Sequence, residues 1–327
     1  MSFGKRSARA RRPEKPLGPV NLDELIKRAE EYDDLYLNVM VHSVELYSDR
    51  SDEVIEEFLS RRNRETFNLT NPHSKRLWLI ELLNGFLAEH RQRVGSKWRE
   101  VERDQTAFAL VTLTHKGWVC SQNNIQFDLA RAKQKVRNAL AGTNFIANFD
   151  AALYTNEDWT TEGILGKLVS FHCHAVVWAR NRSELDRLRK YIRPRFEPIL
   201  WNANGARFDS LDTVDDAVRA LAYQSKMPFL GYRTTVNQKG KKTQVSTPKL
   251  TFLSRWHLFN ELNKYSLFDF SLSGGAGAHI LRTARNRLKK EHKASERSFQ
   301  GIPGSKRPAN GALKHRQNRS GRRIPYL

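Results

Sequence analysis

The sequence has 327 residues and a net charge of +21, with 56 Lys and Arg against 35 Asp and Glu. Its 39% hydrophobic residues suffice for a core, but no run of about 18 apolar residues exists and the basic N-terminus has no apolar region behind it. These features exclude a membrane-spanning helix and a secretory signal, so we expect a cytoplasmic protein without a membrane partner. The only two cysteines, Cys120 and Cys173, argue against a disulfide framework and a zinc finger.

The positive charge is concentrated at the two ends of the chain. Residues 1–16 carry six basic residues and one acidic residue, and residues 282–327 carry fourteen basic and two acidic residues. Such segments cannot bury a core, so we predict a basic disordered tail at 1–17 and a Gly-rich break with a basic, largely disordered tail at 273–327. Tails of this kind bind phosphates without reading sequence. A merely solubilising tail, or one that binds RNA or a membrane surface, is the alternative.

Residues 18–100 are predicted to form a helical N-terminal region. Asn21 and Glu24 are spaced as a capping pair for a first helix. A longer helix is predicted from about Ser74 to Val94, because its apolar residues recur at helical spacing. The favoured interpretation is a scaffold that packs on the rest of the protein, and recognition of a nucleic acid is the alternative.

The next part of the chain predicts an α+β domain. Three segments, 108–115, 145–154 and 168–178, alternate so that each has one wholly apolar face and one face that carries its polar groups. Helices are predicted between them at 125–140 and after them from Ser183. This pattern is typical of an antiparallel central sheet with helices packed on its apolar face and a working surface on the other.

Two histidines, His172 and His174, are spaced two residues apart in the third strand, LVSFHCHAVVW. Because side chains alternate along a strand, both imidazoles lie on one face, about 7 Å apart, where they can chelate one divalent ion. Asp150 is on the polar face of the second strand and could complete the metal site. The alternative is that all three are ordinary polar residues of a sheet.

A short helix is predicted at 212–228, with Thr213 and Asp216 as its N-terminal capping pair. Helical spacing places three polar side chains along a single face: Arg219, Tyr223 and Lys226. A phenol between two cations is suited to attack phosphorus, because the cations favour loss of its proton and neutralise its anionic target. An amphipathic helix with an ordinary polar face is the alternative.

Two further strands are predicted around the basic turn NQKGKK, which contains Lys239, Lys241 and Lys242. This hairpin is a candidate for contact with nucleic acid, or simply an exposed edge. A helix is predicted from Ser254 to about Tyr265, and the glycines that follow Ser273 indicate a boundary.

The order of these motifs resembles the HUH endonucleases, specifically the single-tyrosine rolling-circle replication initiators of plasmids and related phages. The matching segments lie within about residues 105–230 and are FALVTLT, IANFD, FHCHAVVW, the helix from Ser183, and Tyr223 with Lys226. Each motif alone is weak evidence, and the order that the motifs share with the family is what makes the resemblance specific. The resemblance implies that residues 101–272 form an HUH nuclease-like catalytic domain.

The resemblance also implies an enzyme that nicks and rejoins single-stranded DNA at an origin. Mg²⁺ or Mn²⁺ would be held by His172, His174 and Asp150. Tyr223 would attack the phosphate to give a 5′-phosphotyrosyl enzyme and a free 3′-hydroxyl, and Lys226 would steady the phosphate. The expected partners are single-stranded or hairpin origin DNA, a host helicase and a host polymerase. Four basic residues are expected to contact the DNA: Arg219, Lys239, Lys241 and Lys242.

Some details depart from the family or leave alternatives open. Cys173 fills the hydrophobic slot between the histidines, and the family's acidic ligand is usually glutamate rather than aspartate. Other carboxylates that could replace Asp150 follow in the next loop: Glu157, Asp158 and Glu162. A relaxase would carry its tyrosine before the histidines, at Tyr32, Tyr36 or Tyr47. A transposase, or a non-catalytic basic nucleic-acid-binding protein, is a further alternative.

Overall fold

The computed structural model divides the chain into two compact units, Met1–Leu288 and Lys289–Leu327. It describes residues 20–31, 53, 56, 72–94, 97–100, 106–122, 124–157, 166–197, 204–224, 231–236, 242–247, 258, 261–262 and 264–300. The sheet, the helical residues packed on it up to Leu288 and the candidate site belong to the first unit. In the described residues, no helix is both long and apolar enough to cross a membrane.

The described strands form a small hairpin and a seven-stranded sheet. They are β1 (Arg91–Val94), β2 (Lys97–Glu100), β3 (Ala107–Ser121), β4 (Asn144–Glu157), β5 (Gly166–Ala179), β6 (Ala206–Leu211), β7 (Gly231–Val236), β8 (Lys242–Thr247) and β9 (Ser271–Gly274). Strands β6, β3, β5 and β4 lie side by side and antiparallel, and β9 adds to the free edge of β4 in the same sense. The predicted α+β class and antiparallel central sheet are therefore confirmed, while the β7–β8 hairpin joins β4 in parallel.

Helices precede the sheet and connect its strands. They are α1 (22–31), α2 (Pro72–His90), α3 (Leu129–Ala139), α4 (Arg182–Ile192), α5 (Val214–Tyr223), α6 (Leu267–Phe270) and α7 (Ala276–Gln300). The predicted capping pair of α5 is confirmed: the Thr213 side chain accepts from the Asp216 N–H, and the Asp216 carboxylate accepts from the Thr213 N–H. Because this box fixes the first residue of α5, it also fixes where Tyr223 lies two and a half turns later.

One core lies behind the sheet, under α3 and α4. The apolar faces predicted for β3, β4 and β5 are buried there, with Val136 and Leu185 contributed by the two helices. Phe171 of β5 stacks on Phe127 with ring centroids 3.9 Å apart. Because successive side chains of a strand point to opposite faces, burial of these residues behind the sheet leaves the polar residues of the same strands on the front.

A second core covers one end of the front face. Phe108, Ile146 and Trp178 occupy positions on the otherwise polar face and pack against α2 and α5. Phe86 of α2 meets Trp178 edge to face, with ring centroids 5.3 Å apart. Because these apolar residues hold α5 against the front of the sheet, its C-terminal end lies beside the polar positions of β5.

Strands β1 and β6 differ from the sequence prediction. Helix α2 ends at His90, and residues 91–94 form β1 rather than a continuation of the helix, since they pair antiparallel with β2. The edge strand β6 was not predicted, because its charged residues obscure the alternation in ARFDSL. Within the N-terminal region, most residues between the described parts of α1 and α2 lie outside the described residues, as does the tail at 1–17.

The predicted Gly-rich break at residue 273 is wrong for residues 273–300, which contain the end of β9 and helix α7. Gly275 adopts φ +56°, which forms the tight turn between them. A Cβ on Gly277 would lie 2.0 Å from the carbonyl oxygen of Phe145, so only glycine lets α7 begin directly against β4. The glycines therefore permit close packing of α7 against β4. Residues 301–327 lie outside the described residues.

An ion pair between Arg91, the first residue of β1, and Asp215 ties the segment after α2 to the start of α5. The side chains are 10% and 16% exposed, and the nitrogen–oxygen distance is 2.8 Å. We expect Arg91→Met to lower the free energy of unfolding by about 3 kcal/mol, because Asp215 would stay largely shielded from water without its cation. Urea denaturation measures this value. Arg28→Met, which removes an exposed pair with Glu24, should cost less than about 1 kcal/mol. Equal losses in the two variants would contradict the structural role of the Arg91–Asp215 pair.

Candidate metal centre

Asp150, His172 and His174 meet at the middle of the front face. The register of β4 and β5 sets Asp150 directly opposite His172. Asp150 Oδ2 lies 3.5 Å from His172 Nε2 and 3.9 Å from His174 Nε2. One ligand atom from each residue lies within 4.8 Å of the others, so the cluster could hold a metal ion. The structure thus brings together the three residues that the sequence indicated as a metal site.

Of the other carboxylates considered for this site, Glu157 is the one whose backbone the structure describes, and it is distant from the histidines along the sheet. Glu157 pairs with Gly166 at the far end of β4, seven residues from Asp150 and about 23 Å along the strand. Asp158 and Glu162 lie outside the described residues. Among the described residues, Asp150 is therefore the carboxylate that completes the cluster.

The hydrogen bonds around the histidines leave their Nε2 atoms suited to bind a metal. Nδ1 of His172 lies 3.4 Å from the carbonyl oxygen of Ser170, which can only accept, so this hydrogen bond requires the tautomer with the proton on Nδ1, in which Nε2 has the lone pair. Nδ1 of His174 lies 3.1 Å from the Thr112 hydroxyl oxygen, directly across from it on β3. Two imidazole nitrogens and one carboxylate oxygen form a donor set that fits a divalent first-row metal ion.

The Asp150 carboxylate is held in place by its own strand. Its Oδ1 accepts from the Ala151 backbone N–H at 2.7 Å, which leaves Oδ2 on the side of the histidines. The side chains of Asp150, His172 and His174 are 9%, 15% and 12% exposed. A bound cation would further offset the cost of keeping this carboxylate away from water.

Tyr223 lies beside this cluster. Its ring centroid is 6.1 Å from that of His174, with the planes 77° apart. Tyr223 is 47% exposed, whereas its neighbours Leu221 and Ala222 on α5 are buried. The helix therefore presents an accessible phenol next to a largely shielded set of metal-ligand atoms.

The structure describes only some of the basic residues that were predicted to act with Tyr223. Arg219 forms an ion pair with Asp216, with Nη1 3.0 Å from Oδ1. Lys226, Lys239 and Lys241 lie outside the described residues, as do the alternative tyrosines Tyr32, Tyr36 and Tyr47. Lys242 begins β8, and the two strands predicted around the basic turn are confirmed as β7 and β8. Contact of these basic residues with DNA stays a prediction.

Cys173 does not belong to the metal site although it lies between the histidines. Its side chain is in the core behind the sheet, and burial raises the pKa of its thiol well above the ordinary value. It therefore stays protonated and packs as a small apolar residue, as predicted for the hydrophobic slot. Both cysteines are free.

Thr112 and the Ser170 carbonyl are contacts of the site that the sequence did not identify. The alternation of β3 places Thr112 on the polar face, but only the pairing of β3 with β5 sets it opposite His174. The Ser170 carbonyl belongs to the backbone and leaves no signal in the sequence. Partners of this kind orient metal-binding imidazoles and fix their protonation.

We expect Thr112→Val to weaken Mn²⁺ binding by about 10- to 100-fold, because His174 would lose the hydroxyl that orients its ring. Thr112→Ser keeps the hydroxyl and should bind the metal nearly as the native protein does. Isothermal titration calorimetry with Mn²⁺ compares the three proteins. Native affinity in the valine variant would show that the Thr112 contact is incidental.

No protein-family model, curated protein or solved structure matches this chain. The chemistry of the site is therefore inferred from its own side chains and their geometry.

Proposed function

We propose that this protein is a metal-dependent endonuclease that nicks and rejoins single-stranded DNA through Tyr223 and thereby initiates rolling-circle replication. The observation that supports the proposal most is the exposed phenol beside two imidazoles and a carboxylate on one face of an antiparallel sheet. The histidine strand also precedes the tyrosine helix, which is the order found in the replication initiators that the sequence resembles. We further propose that the sheet is the HUH-type sheet.

Each residue of the site has a distinct role in this proposal. His172, His174 and Asp150 would hold Mg²⁺ or Mn²⁺, and the bound ion would polarise an oxygen of the scissile phosphate. The Tyr223 hydroxyl loses its proton and forms a bond to phosphorus, while the bond from phosphorus to the 3′-oxygen breaks. The products are a 5′-phosphotyrosyl enzyme and a 3′-hydroxyl. Attack of a 3′-hydroxyl on the phosphotyrosine reverses the step, so rejoining needs no nucleotide cofactor.

The donor set bears on the choice of metal. Mg²⁺ prefers oxygen ligands and retains water, whereas Mn²⁺ accepts both carboxylate and imidazole donors. With two imidazoles out of three side-chain donors, we expect Mn²⁺ to support the reaction at lower concentration than Mg²⁺.

The exposure of Tyr223 bears on the substrate. An accessible phenol beside a shielded cluster requires the phosphate to approach closely, which a flexible single strand can do more easily than a duplex. The substrate is therefore proposed to be a hairpin loop or a melted origin. A host helicase would open further duplex, and a host polymerase would extend the free 3′-hydroxyl.

Two other classes of function are kept as alternatives. A relaxase or a transposase would share the metal site and the covalent chemistry, so it differs in the DNA recognised and not in the reaction. A non-catalytic basic nucleic-acid-binding protein would never become covalently attached to DNA. A salt-sensitive gel shift cannot separate these classes, because all of them bind phosphates.

The direct test mixes the protein with uniformly labelled single-stranded DNA from the replicon that carries its gene, with Mn²⁺ or with EDTA. We expect label to remain with the protein on a denaturing gel only when Mn²⁺ is present. Fully duplex DNA of the same sequence is the matched control and should give much less product. If no fragment of the replicon yields a metal-dependent covalent band, the binding protein becomes the better description.

A further inference from the structure

A cleft of about 670 Å³ lies at the end of the sheet, where α3 and α4 meet the start of β4 and the end of β5. Its lining includes Trp178, Arg180, Arg187 and Tyr191. Trp178 is four residues beyond His174 on β5, about 13 Å along the strand. Helices α3 and α4 pack on the back face, whereas the metal-site residues lie on the front. The cleft is therefore separate from the candidate metal centre.

The helices beside the cleft are strongly basic. Helix α3 has four basic residues and no acidic residue, and the segment from α4 to Arg195 has six basic and two acidic residues. Arg180 and Arg187, which line the cleft, are exposed. The one carboxylate in the lining, Glu184, accepts from the backbone N–H of Arg180 at 3.2 Å. The charge of this surface favours an anionic ligand with repeated phosphates.

The cleft also contains an aromatic ring suited to stacking. Tyr191 is 46% exposed, and the Arg195 guanidinium lies 3.5 Å from its ring centroid. A guanidinium against one side of the ring holds it in place and leaves the phenol body available to a flat ligand. Exposed aromatic rings set among cations form the stacking surfaces with which proteins bind the bases of single strands.

We propose that this cleft is a second binding site for single-stranded nucleic acid, with a base stacked on Tyr191 and phosphates beside Arg180 and Arg187. A concave site of this volume accepts a small ligand or one or two nucleotides, and the bases of a duplex are not free to enter it. DNA and RNA strands share this chemistry, and the preference for DNA rests on the proposed function. The site would hold a strand segment away from Tyr223 and the metal centre.

The test is photocrosslinking of the full chain to oligothymidylate of 20 nucleotides that carries 5-iododeoxyuridine. This base forms a bond to an aromatic side chain on which it stacks. Trypsin releases Tyr191 in the peptide of residues 191–195, in which it is the only aromatic residue. We expect this peptide to carry the crosslink. Crosslinks found only in other peptides would overturn the proposal.

Variants on α4 separate a specific site from general attraction to a basic surface. Arg187→Ala should lower the crosslink yield at Tyr191 severalfold, because Arg187 lines the cleft. Arg189→Ala removes the same charge from the same helix outside the lining and should leave the yield close to native. Equal losses would overturn a specific phosphate contact. An oligouridylate with 5-iodouridine forms the second arm, and a higher yield with it would identify RNA as the ligand.

This result is independent of the covalent chemistry at Tyr223. The crosslinking uses a Tyr223→Phe background, in which residue 223 cannot form a phosphotyrosine. A crosslink at Tyr191 together with no metal-dependent adduct in the native protein would support the cleft as a nucleic-acid-binding site and reject the proposal of a nicking enzyme. The opposite pair of results would retain the enzyme and reject the cleft.

Discussion

Tyr223→Phe should reduce the metal-dependent covalent attachment of DNA by about 10³-fold or more, because it removes the only atom proposed to bond to phosphorus. The substitution keeps the ring and its contact with His174, so the fold and the metal centre should remain intact. The measurement is the amount of label retained on a denaturing gel under identical metal and DNA concentrations.

Tyr265→Phe is the matched control for this loss. Tyr265 packs against the core behind the sheet and donates a hydrogen bond to Glu261 at 3.3 Å, away from the candidate centre. Loss of its hydroxyl should leave covalent attachment within about twofold of native, an expectation that follows from its position outside the site. If Tyr223→Phe retains native attachment, another residue is the nucleophile. If both variants lose it equally, the loss reflects stability and not chemistry.

Asp150→Asn should remove most of the stabilisation that Mn²⁺ gives the native protein. At a concentration 100-fold above its dissociation constant, a bound ion adds about 2.7 kcal/mol to the free energy of unfolding. A variant whose affinity is about 100-fold weaker would gain less than about 1 kcal/mol at the same concentration. Thermal melts with and without Mn²⁺ measure the difference, so any change in the stability of the metal-free variant cancels.

Asp186→Asn provides the control for the loss of a carboxylate. Asp186 is exposed on α4, on the other side of the sheet from the candidate centre. Its variant should show the native shift with Mn²⁺. A full shift in Asp150→Asn would mean that the ion does not bind at this cluster.

The strands that carry the site could be predicted because apolar and polar residues alternate strongly along each of them. In β5, Val169, Phe171 and Cys173 are buried behind the sheet, and His172 and His174 are on the front, as the period of two requires. The capping box of α5 was equally readable, since Thr213 and Asp216 have the required spacing. Local patterns such as these depend only on residues close together in the sequence.

The pairing of distant segments could not be predicted in this way. The alternation excludes a slip of one residue, but nothing in the sequence sets Asp150 opposite His172 rather than two residues away, because register depends on the whole β4–β5 ladder. Strand β9 pairs with Phe145 and its neighbours more than 120 residues earlier, and its glycines resemble a linker until that close contact is known.

The division of the front face into an apolar end and a polar middle could not be predicted either. Phe108 and Trp178 occupy positions of the polar face, but they are covered by α2 and α5. The sequence gives no separate signal that one end of this face is apolar and covered while the middle is polar. That division is what brings the end of α5 to the histidines.

The most direct measurement is the identity of the residue joined to DNA in the covalent product. After nuclease and trypsin digestion, Tyr223 should be found in the peptide of residues 220–226, where it is the only tyrosine. We predict that this peptide carries a nucleotide linked through its 5′-phosphate, and only in samples that contained Mn²⁺. A nucleotide on Tyr32, Tyr36 or Tyr47 would contradict this assignment and favour the relaxase arrangement, and the absence of any linked nucleotide would contradict the enzyme itself.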